Sequence, residues 1–248
     1  MTLRTLPPAD VAAIAADAGL RTIEWGGDIH VPPGDLAKAE QARELTARHG
    51  LTVASYGSYF RAGTSDPAEI EPVVATAEEL GAARIRIWAG RCGSAEATPA
   101  QRSAVVASAR CFADRAARAG ITVGFEFHGG TLTDDHHSAT ALLAEINRAD
   151  VVSYWQPPNS VSDAEALAGL DELMPAVAAV HAFSWWPGTV RHRLVARAGL
   201  WQAVLRRLRE RGHDLEVLLE FVPDDDPALV AGEAAMLRSW IDQASPAS

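Results

Sequence analysis

The sequence predicts a single α/β domain, an eight-stranded (β/α)8 barrel, and three observations carry that prediction. Alanine-rich helices end in glycine at near-constant intervals, and a short β-branched strand follows each one at once. Helix starts carry capping residues just ahead of proline. Strands and helices alternate strictly over 248 residues, a length that one barrel domain commonly fills.

The glycine rhythm is the clearest of these. Gly19 precedes Leu20 to Trp25, Gly50 precedes Leu51 to Tyr56, Gly81 precedes Ala82 to Trp88 and Gly120 precedes Ile121 to His128, at intervals of 31, 31 and 39 residues. Those intervals are about the size of one βαβ repeat. Glycine at these places supplies the left-handed conformation that closes a helix and turns the chain into a strand. Asp66-Pro67 and Thr98-Pro99 place a capping side chain before proline at the first helical position, with Glu69 and Gln101 three residues after each cap. Further strands are expected at Val151 to Gln156, Val180 to Ser184 and Glu216 to Phe221, with helical stretches near 163–174 and 199–211 and a last helix from Pro227 to about Gln243. A short first strand at Leu3 to Thr5 brings the count to eight. Strict alternation implies a parallel sheet, and eight units favour closure over an open doubly wound sheet. The open sheet also expects a glycine-rich loop after its first strand, where this chain has Leu6-Pro7-Pro8-Ala9-Asp10. The barrel is assigned to residues 1–243 and a frayed tail to 244–248.

Composition narrows the partners. With 22 Lys+Arg against 32 Asp+Glu, a net charge of −10 and Lys38 as the only lysine, the surface is poorly suited to a polyanion, so no nucleic acid is expected. No apolar run approaches the ~20 residues needed to span a bilayer. Cys92 and Cys111 form no redox or zinc motif, and the start of the chain lacks a signal-peptide pattern; a reduced, cytoplasmic setting is the expectation. A homo-oligomer is left open.

Barrel enzymes place their reacting groups at strand C-termini and the loops after them. Here those positions are Trp25, Tyr56, Trp88, Glu126, Gln156, His181 and Glu220. The last four are competent metal ligands. Glu126, in Phe125-Glu126-Phe127-His128, and Glu220, in Leu218-Leu219-Glu220-Phe221, sit in apolar strands where a lone carboxylate is costly to bury. A shared divalent ion would compensate both, and an arginine inside the barrel is the alternative partner for each. Gln156 offers a neutral oxygen where a carboxylate would bind more tightly. Mixed oxygen and imidazole donors suit manganese, magnesium, cobalt or zinc. His30, His128, Asn159, Arg191 and Arg193 are candidate substrate contacts with Trp25, Tyr56 and Trp88, while His136-His137 is read as the start of a helix.

At these residues the chain resembles the xylose isomerase-like TIM-barrel superfamily, which includes ketose 3-epimerases, hydroxypyruvate isomerase, inosose isomerases and dehydratases, and endonuclease IV. Family members place Glu, Asp, His and Glu on the last four strands. Glu126, Gln156, His181 and Glu220 fall at matching intervals of 30, 25 and 39 residues, with Gln156 standing where the family has Asp. The resemblance implies a TIM barrel with a divalent metal, manganese first, held by these four residues. It further implies isomerisation or epimerisation of a small sugar-like substrate by enediolate proton transfer between Glu126 and Glu220. A lyase or dehydratase acting on a keto-sugar or keto-inositol is the alternative reading, and a non-catalytic sugar-binding barrel with a degenerate metal site is another.

Overall fold

The helix-closing glycines adopt the conformation their positions require. In the computed structural model, which describes residues 2–159, 161–212 and 215–244, Gly19, Gly50, Gly81 and Gly120 have φ of 68°, 71°, 72° and 70°. A strand begins two or three residues after each. Both expected capping boxes form, Thr98 with Gln101 and Asp66 with Glu69.

Helix α1 (Pro8–Asp17) leads to β1 (Thr22–Gly26), α2 (Leu36–Arg48) to β2 (Thr52–Arg61), α3 (Ile70–Leu80) to β3 (Arg84–Trp88) and α4 (Pro99–Arg118) to β4 (Thr122–Phe125). Helix α5 (His136–Ile146) then leads to β5 (Val151–Trp155) and α6 (Asp163–Leu173) to β6 (Val177–Ala182). An antiparallel ribbon of β7 (Ser184–Trp185) and β8 (Arg191–His192) precedes α7 (Ala198–Glu210), β9 (Glu216–Leu219) and α8 (Pro227–Ala244). The seven long-range strands pair in the order β1-β2-β3-β4-β5-β6-β9, all parallel. The result is a nearly closed α/β barrel of the TIM type with its helices outside. Ala244 closes α8, so residues 245–248 of the expected tail lie outside the described residues.

The expected strand at Leu3 to Thr5 is not one. Leu3 has φ of 61° and accepts a hydrogen bond from Leu6 N at 3.2 Å, so this segment is a turn running into Pro7 and Pro8. Thr2 and Leu3 are instead tied to the far end of the sheet: Phe221 N donates to Thr2 Oγ1, and Leu3 N donates to Asp225 Oδ1, both at 2.8 Å. β1 and β9 therefore remain unpaired with each other. Between them lies a cavity of about 700 Å3 lined by Ile23, Val217 and Leu219, with Leu205, Val230 and Leu237 of the helices behind, and also by Glu24, His30, His181 and Glu220. Strand β2 differs in the other direction. It runs to Arg61, five residues past Tyr56, because the ladder with β3 resumes after a register shift between Gly57 and Arg61.

Side chains alternate between the barrel lumen and the helix layer with the two-residue period of a strand. Trp25, Trp155 and Trp201 fill the outer core, each 1% exposed or less. No helix among the described residues is long and apolar enough to cross a membrane. On β4 the lumen position is Gly124, where a Cβ would overlap the Tyr154 ring and sit 3.1 Å from Arg84 Cδ. Gly124→Ala should therefore cost about 1–3 kcal/mol through overpacking. Urea unfolding of the purified variant measures this, and an unchanged midpoint would mean that the Tyr154 ring has room to move.

Candidate functional site

Inside the barrel the lumen-facing residues form two polar layers. The lower layer is a neutral pair, with Arg84 Nη1 donating to Glu216 Oε2 at 2.7 Å beneath Tyr154. The upper layer centres on Arg86 of β3, whose side chain is 2% exposed. Its Nε and Nη2 contact Glu24 Oε1 at 2.9 Å, and its Nη1 donates to Glu126 Oε2. Ser55 Oγ donates to the other oxygen of Glu24 at 2.6 Å. This pair lies directly on the backbone of β2: a Cβ on Gly57 would fall 2.7 Å from Arg86 Nη2 and 2.9 Å from Glu24 Oε1.

Across the lumen, His181 is the hub. Its Nδ1 lies 3.0 Å from Gln156 Oε1 and 3.4 Å from Glu220 Oε2, and its ring leans on Tyr154 with centroids 5.2 Å apart. Ladder bonds hold both glutamates just past their strand ends, Glu126 N donating to Ile87 O and Glu220 N to Ala182 O, each at 3.0 Å. Thr133 Oγ1 then donates to Glu126 O at 2.6 Å, folding the following loop back over the strand.

Charge follows from this arrangement. Burial alone would raise the Glu24 carboxyl, but the Arg86 guanidinium, His181 and hydrogen bonds from Arg86 and Ser55 outweigh it and hold the group at about 2. Burial likewise opposes ionisation of Glu220, and the nearby His181 and Arg86 reverse that, so its value falls below the usual carboxylate range. Arg86 is pushed well above its ordinary value because Glu126 and Glu24 more than offset its burial. Three buried carboxylates, Glu24, Glu126 and Glu220, thus gather around the Arg86 guanidinium and the His181 imidazole. Carboxylate, amide and imidazole donors in one place are a set that a divalent cation would suit. The donor spacing agrees, since ligands bound at ~2.1 Å in octahedral geometry lie ~3.0 Å apart. Gln156, His181 and Glu220 fit such an ion, whereas the Glu126 carboxylate is engaged by Arg86 and does not close a cluster with His181 and Glu220.

Several residues expected at the mouth lie elsewhere. Trp25 Nε1 donates to Thr46 Oγ1 of α2 at 3.0 Å, and the Tyr56 hydroxyl donates to Val31 O at 2.7 Å. Both point into the helix layer, because alternation gives the lumen to Glu24 and Ser55 one residue earlier. His30 packs on Trp25 and lies 3.0 Å from Leu6 O. Arg193 is held by Glu233 of α8, its Nε 2.6 Å from Oε1, and so is committed to the helix layer. Arg191 does reach the mouth, stacking over Trp185 and Phe221 at 5.2 and 4.7 Å from the ring centroids. Trp88 and His128 meet there too, with ring centroids 4.5 Å apart. Asn159 is half-buried in the loop after β5.

Sequence reasoning missed Glu24, Ser55, Arg86, Tyr154 and Arg61. The signal for Arg86 and Glu24 was present, a charge between apolar neighbours in Ile85-Arg86-Ile87 and Ile23-Glu24-Trp25. It is the same signal that singled out Glu126. Among the described residues, the group of His, Cys, Asp or Glu whose ligand atoms lie within 4.8 Å of one another is His136, His137 and Glu172. It sits on the outer surface at the first turn of α5, where the helix dipole disfavours a cation and Asp135 serves as the helix cap. Glu126, His181 and Glu220 do not come together as such a group among the described residues.

The profile of the family described as xylose isomerase-like TIM barrel matches residues 12–240. Among solved structures the chain is similar to the probable 3-DHS dehydratase AsbF, involved in petrobactin synthesis, from Bacillus anthracis, at 18% identity, TM-score 0.75 and 92% coverage of each chain. It is similar to a xylose isomerase-like TIM barrel protein from Mycobacterium smegmatis in complex with magnesium, at 16% identity, TM-score 0.74 and coverage of 98% of this chain and 91% of that one. A third is D-psicose 3-epimerase with D-tagatose from Clostridium cellulolyticum H10, at 12% identity, TM-score 0.72 and coverage of 95% and 93%. Likeness at these identities speaks for the fold alone. No curated protein matches the chain.

Arg86→Gln should cost about 3–5 kcal/mol, because it strands two buried carboxylates without a cation; thermal or urea unfolding reads the loss. Glu24 adds a pH dependence whose sign follows from its lowered value. Its contribution, roughly 3 kcal/mol, is complete above the ordinary value of 4.5 and is lost as pH falls from there to about 2. Unfolding free energies measured across that window should fall steeply in the wild type and less so in Glu24→Gln; parallel curves would count against the pairing.

Proposed function

The chain belongs to the xylose isomerase-like TIM-barrel family, and from that premise we propose that it is a divalent-metal-dependent isomerase or epimerase of a small ketose, aldose or related polyol ketone. The observation that carries this reading is the meeting of Gln156 Oε1 and Glu220 Oε2 on His181 Nδ1, at 3.0 and 3.4 Å, in a lumen that also buries Glu24 and Glu126. Gln156, His181 and Glu220 would hold the ion, with Glu126 as the fourth ligand once it leaves Arg86. A bound dication would polarise a carbonyl oxygen of the substrate and so acidify the neighbouring C–H.

The chain's own groups do the rest. Glu220, ionised well into the acid range, accepts the proton from the carbon next to the carbonyl. Glu126, once it has left Arg86 and taken up a proton from solvent, returns that proton to the opposite face for epimerisation or to the neighbouring carbon for isomerisation and is left as the carboxylate. Arg86, still paired with Glu24, stays beside the lumen as Glu126 is released. Trp88 and His128 form a wall over the sugar ring. Manganese is the first choice of ion, with magnesium, cobalt and zinc as alternatives, and the free thiols of Cys92 and Cys111 agree with a cytoplasmic setting.

Likeness to a probable dehydratase favours a second reading, loss of water from a keto-sugar, and product mass distinguishes the two. A sugar-binding barrel without turnover is the third, favoured by Gln156 and by the Arg86 hold on Glu126.

The test is metal analysis of the purified protein coupled to turnover of a ketose panel with and without manganese. Turnover should be metal-dependent and conserve mass. Glu220→Gln should abolish it while leaving the circular dichroism spectrum unchanged. Residual activity near wild type in that variant would remove Glu220 from the proton path. A protein that binds no metal and turns over nothing would leave the binding-only reading.

A further inference from the structure

One charged group at the mouth has no assigned work. Arg61 ends β2, brought there by the five residues through which the strand outruns its expected length. Its guanidinium lies 4.1 Å from the centroid of the Trp88 ring, and Nη1 donates to Gly90 O at 3.1 Å. Among the described residues Arg61 makes no ion pair. It differs in this from Arg84, which has Glu216, from Arg86, which has Glu24 and Glu126, and from Arg4, which has Asp28.

Its surroundings are cationic and donor-rich. Burial lowers its basicity, the like charge of Arg91 lowers it further, and the more distant Glu126 carboxylate and Tyr59 offset these only in part. A half-buried guanidinium beside a second one is a configuration that costs free energy unless an anion joins it. Trp88, on which Arg61 stacks, has a buried indole N–H with no hydrogen-bond partner. His128 leans on the same indole at 4.5 Å and follows Glu126 by two residues on the same strand face. The cluster therefore borders the carboxylate layer and opens at the strand C-termini.

We propose that Arg61, supported by Arg91 and the Trp88 indole, is an anion subsite, and that the substrate carries a carboxylate or a phosphate. This rests on the mouth being the active site and deepens that reading: the substrate is a sugar acid or sugar phosphate rather than a neutral sugar. The stacked guanidinium keeps its planar donor edge directed for paired contacts with two oxygens, which a lysine would not provide. The anion would sit at one side of the mouth while Gln156, His181 and Glu220 face the reacting carbons from the other.

The experiment needs neither turnover nor metal. Unfolding midpoints of the metal-free full-length protein are measured in inorganic phosphate, in malonate and in sodium chloride at matched ionic strength. An anion bound by the folded state raises the midpoint above the chloride reference. The wild type should show that rise, larger in phosphate for a phosphorylated substrate and larger in malonate for a carboxylate one. Arg61→Gln should bind the effective anion about tenfold more weakly, the loss expected of one charge-assisted contact. Arg118→Gln, at an exposed position on α4, should keep the full rise. Arg91→Gln, also exposed, should lose part of it and keeps the test readable should Arg61→Gln fail to fold. No rise in the wild type, an equal rise in Arg61→Gln, or an undiminished rise in Arg91→Gln would overturn the subsite. Because the readout is binding alone, a failed isomerase assay leaves this result standing.

Discussion

The buried bridge from Glu24 through Arg86 to Glu126 is the constraint around which the upper half of the barrel is built. A guanidinium 2% exposed costs several kcal/mol to desolvate, and its two carboxylates cost more unless each is paired. The geometry meets that condition only because three strands agree. β1 places Glu24 inward, β2 offers bare backbone at Gly57 for the pair to rest on, and β4 delivers Glu126 one residue past its last ladder partner. Loss of any one would leave a buried charge without its counterpart.

That bridge also sorts the lumen by chemistry. Below it, Arg84 and Glu216 cancel, so the barrel floor is neutral and closed by the Tyr154 ring. Above and beside it, Glu126 is held by the same guanidinium while Glu220 turns to His181, so the buried carboxylates gather at the strand C-termini. Such a layer favours a cation at its centre. At the rim the sign reverses, with Arg61, Arg91 and Arg191 set against aromatic rings. A polar substrate entering the mouth would meet guanidinium groups before it meets carboxylates.

Much of the fold was legible because helix ends and strand starts are local events. Gly19, Gly50, Gly81 and Gly120 close their helices with left-handed backbones, and Thr98 and Asp66 cap theirs, each within a few residues of chain. The exceptions are equally physical. Leu3 to Thr5 has the composition of a strand, yet Pro7 and Pro8 follow so closely that the segment turns, and the sheet stays open between β1 and β9 over a cavity lined by apolar and charged side chains alike. Strand β2 outran its expected end because an irregularity after Gly57 let pairing resume as far as Arg61. The site was legible in part. Glu126, His181 and Glu220 stood out as polar groups in apolar strands, whereas Trp25 and Tyr56 were placed at the mouth by rank along the strand and not by which face they occupy.

By itself the sequence determined the barrel class, the order of its elements and the strand ends that carry Glu126, Gln156, His181 and Glu220, since periodicity, capping and helix-closing glycine act over short stretches of chain. Only the tertiary structure decided which of those groups meet. Arg86 reaches Glu126 across 40 residues of sequence and His181 reaches Glu220 across 39, and in both cases the approach depends on inward alternation, strand register and packing on Gly57. Those quantities arise from the closure of neighbouring strands, and no single segment encodes them.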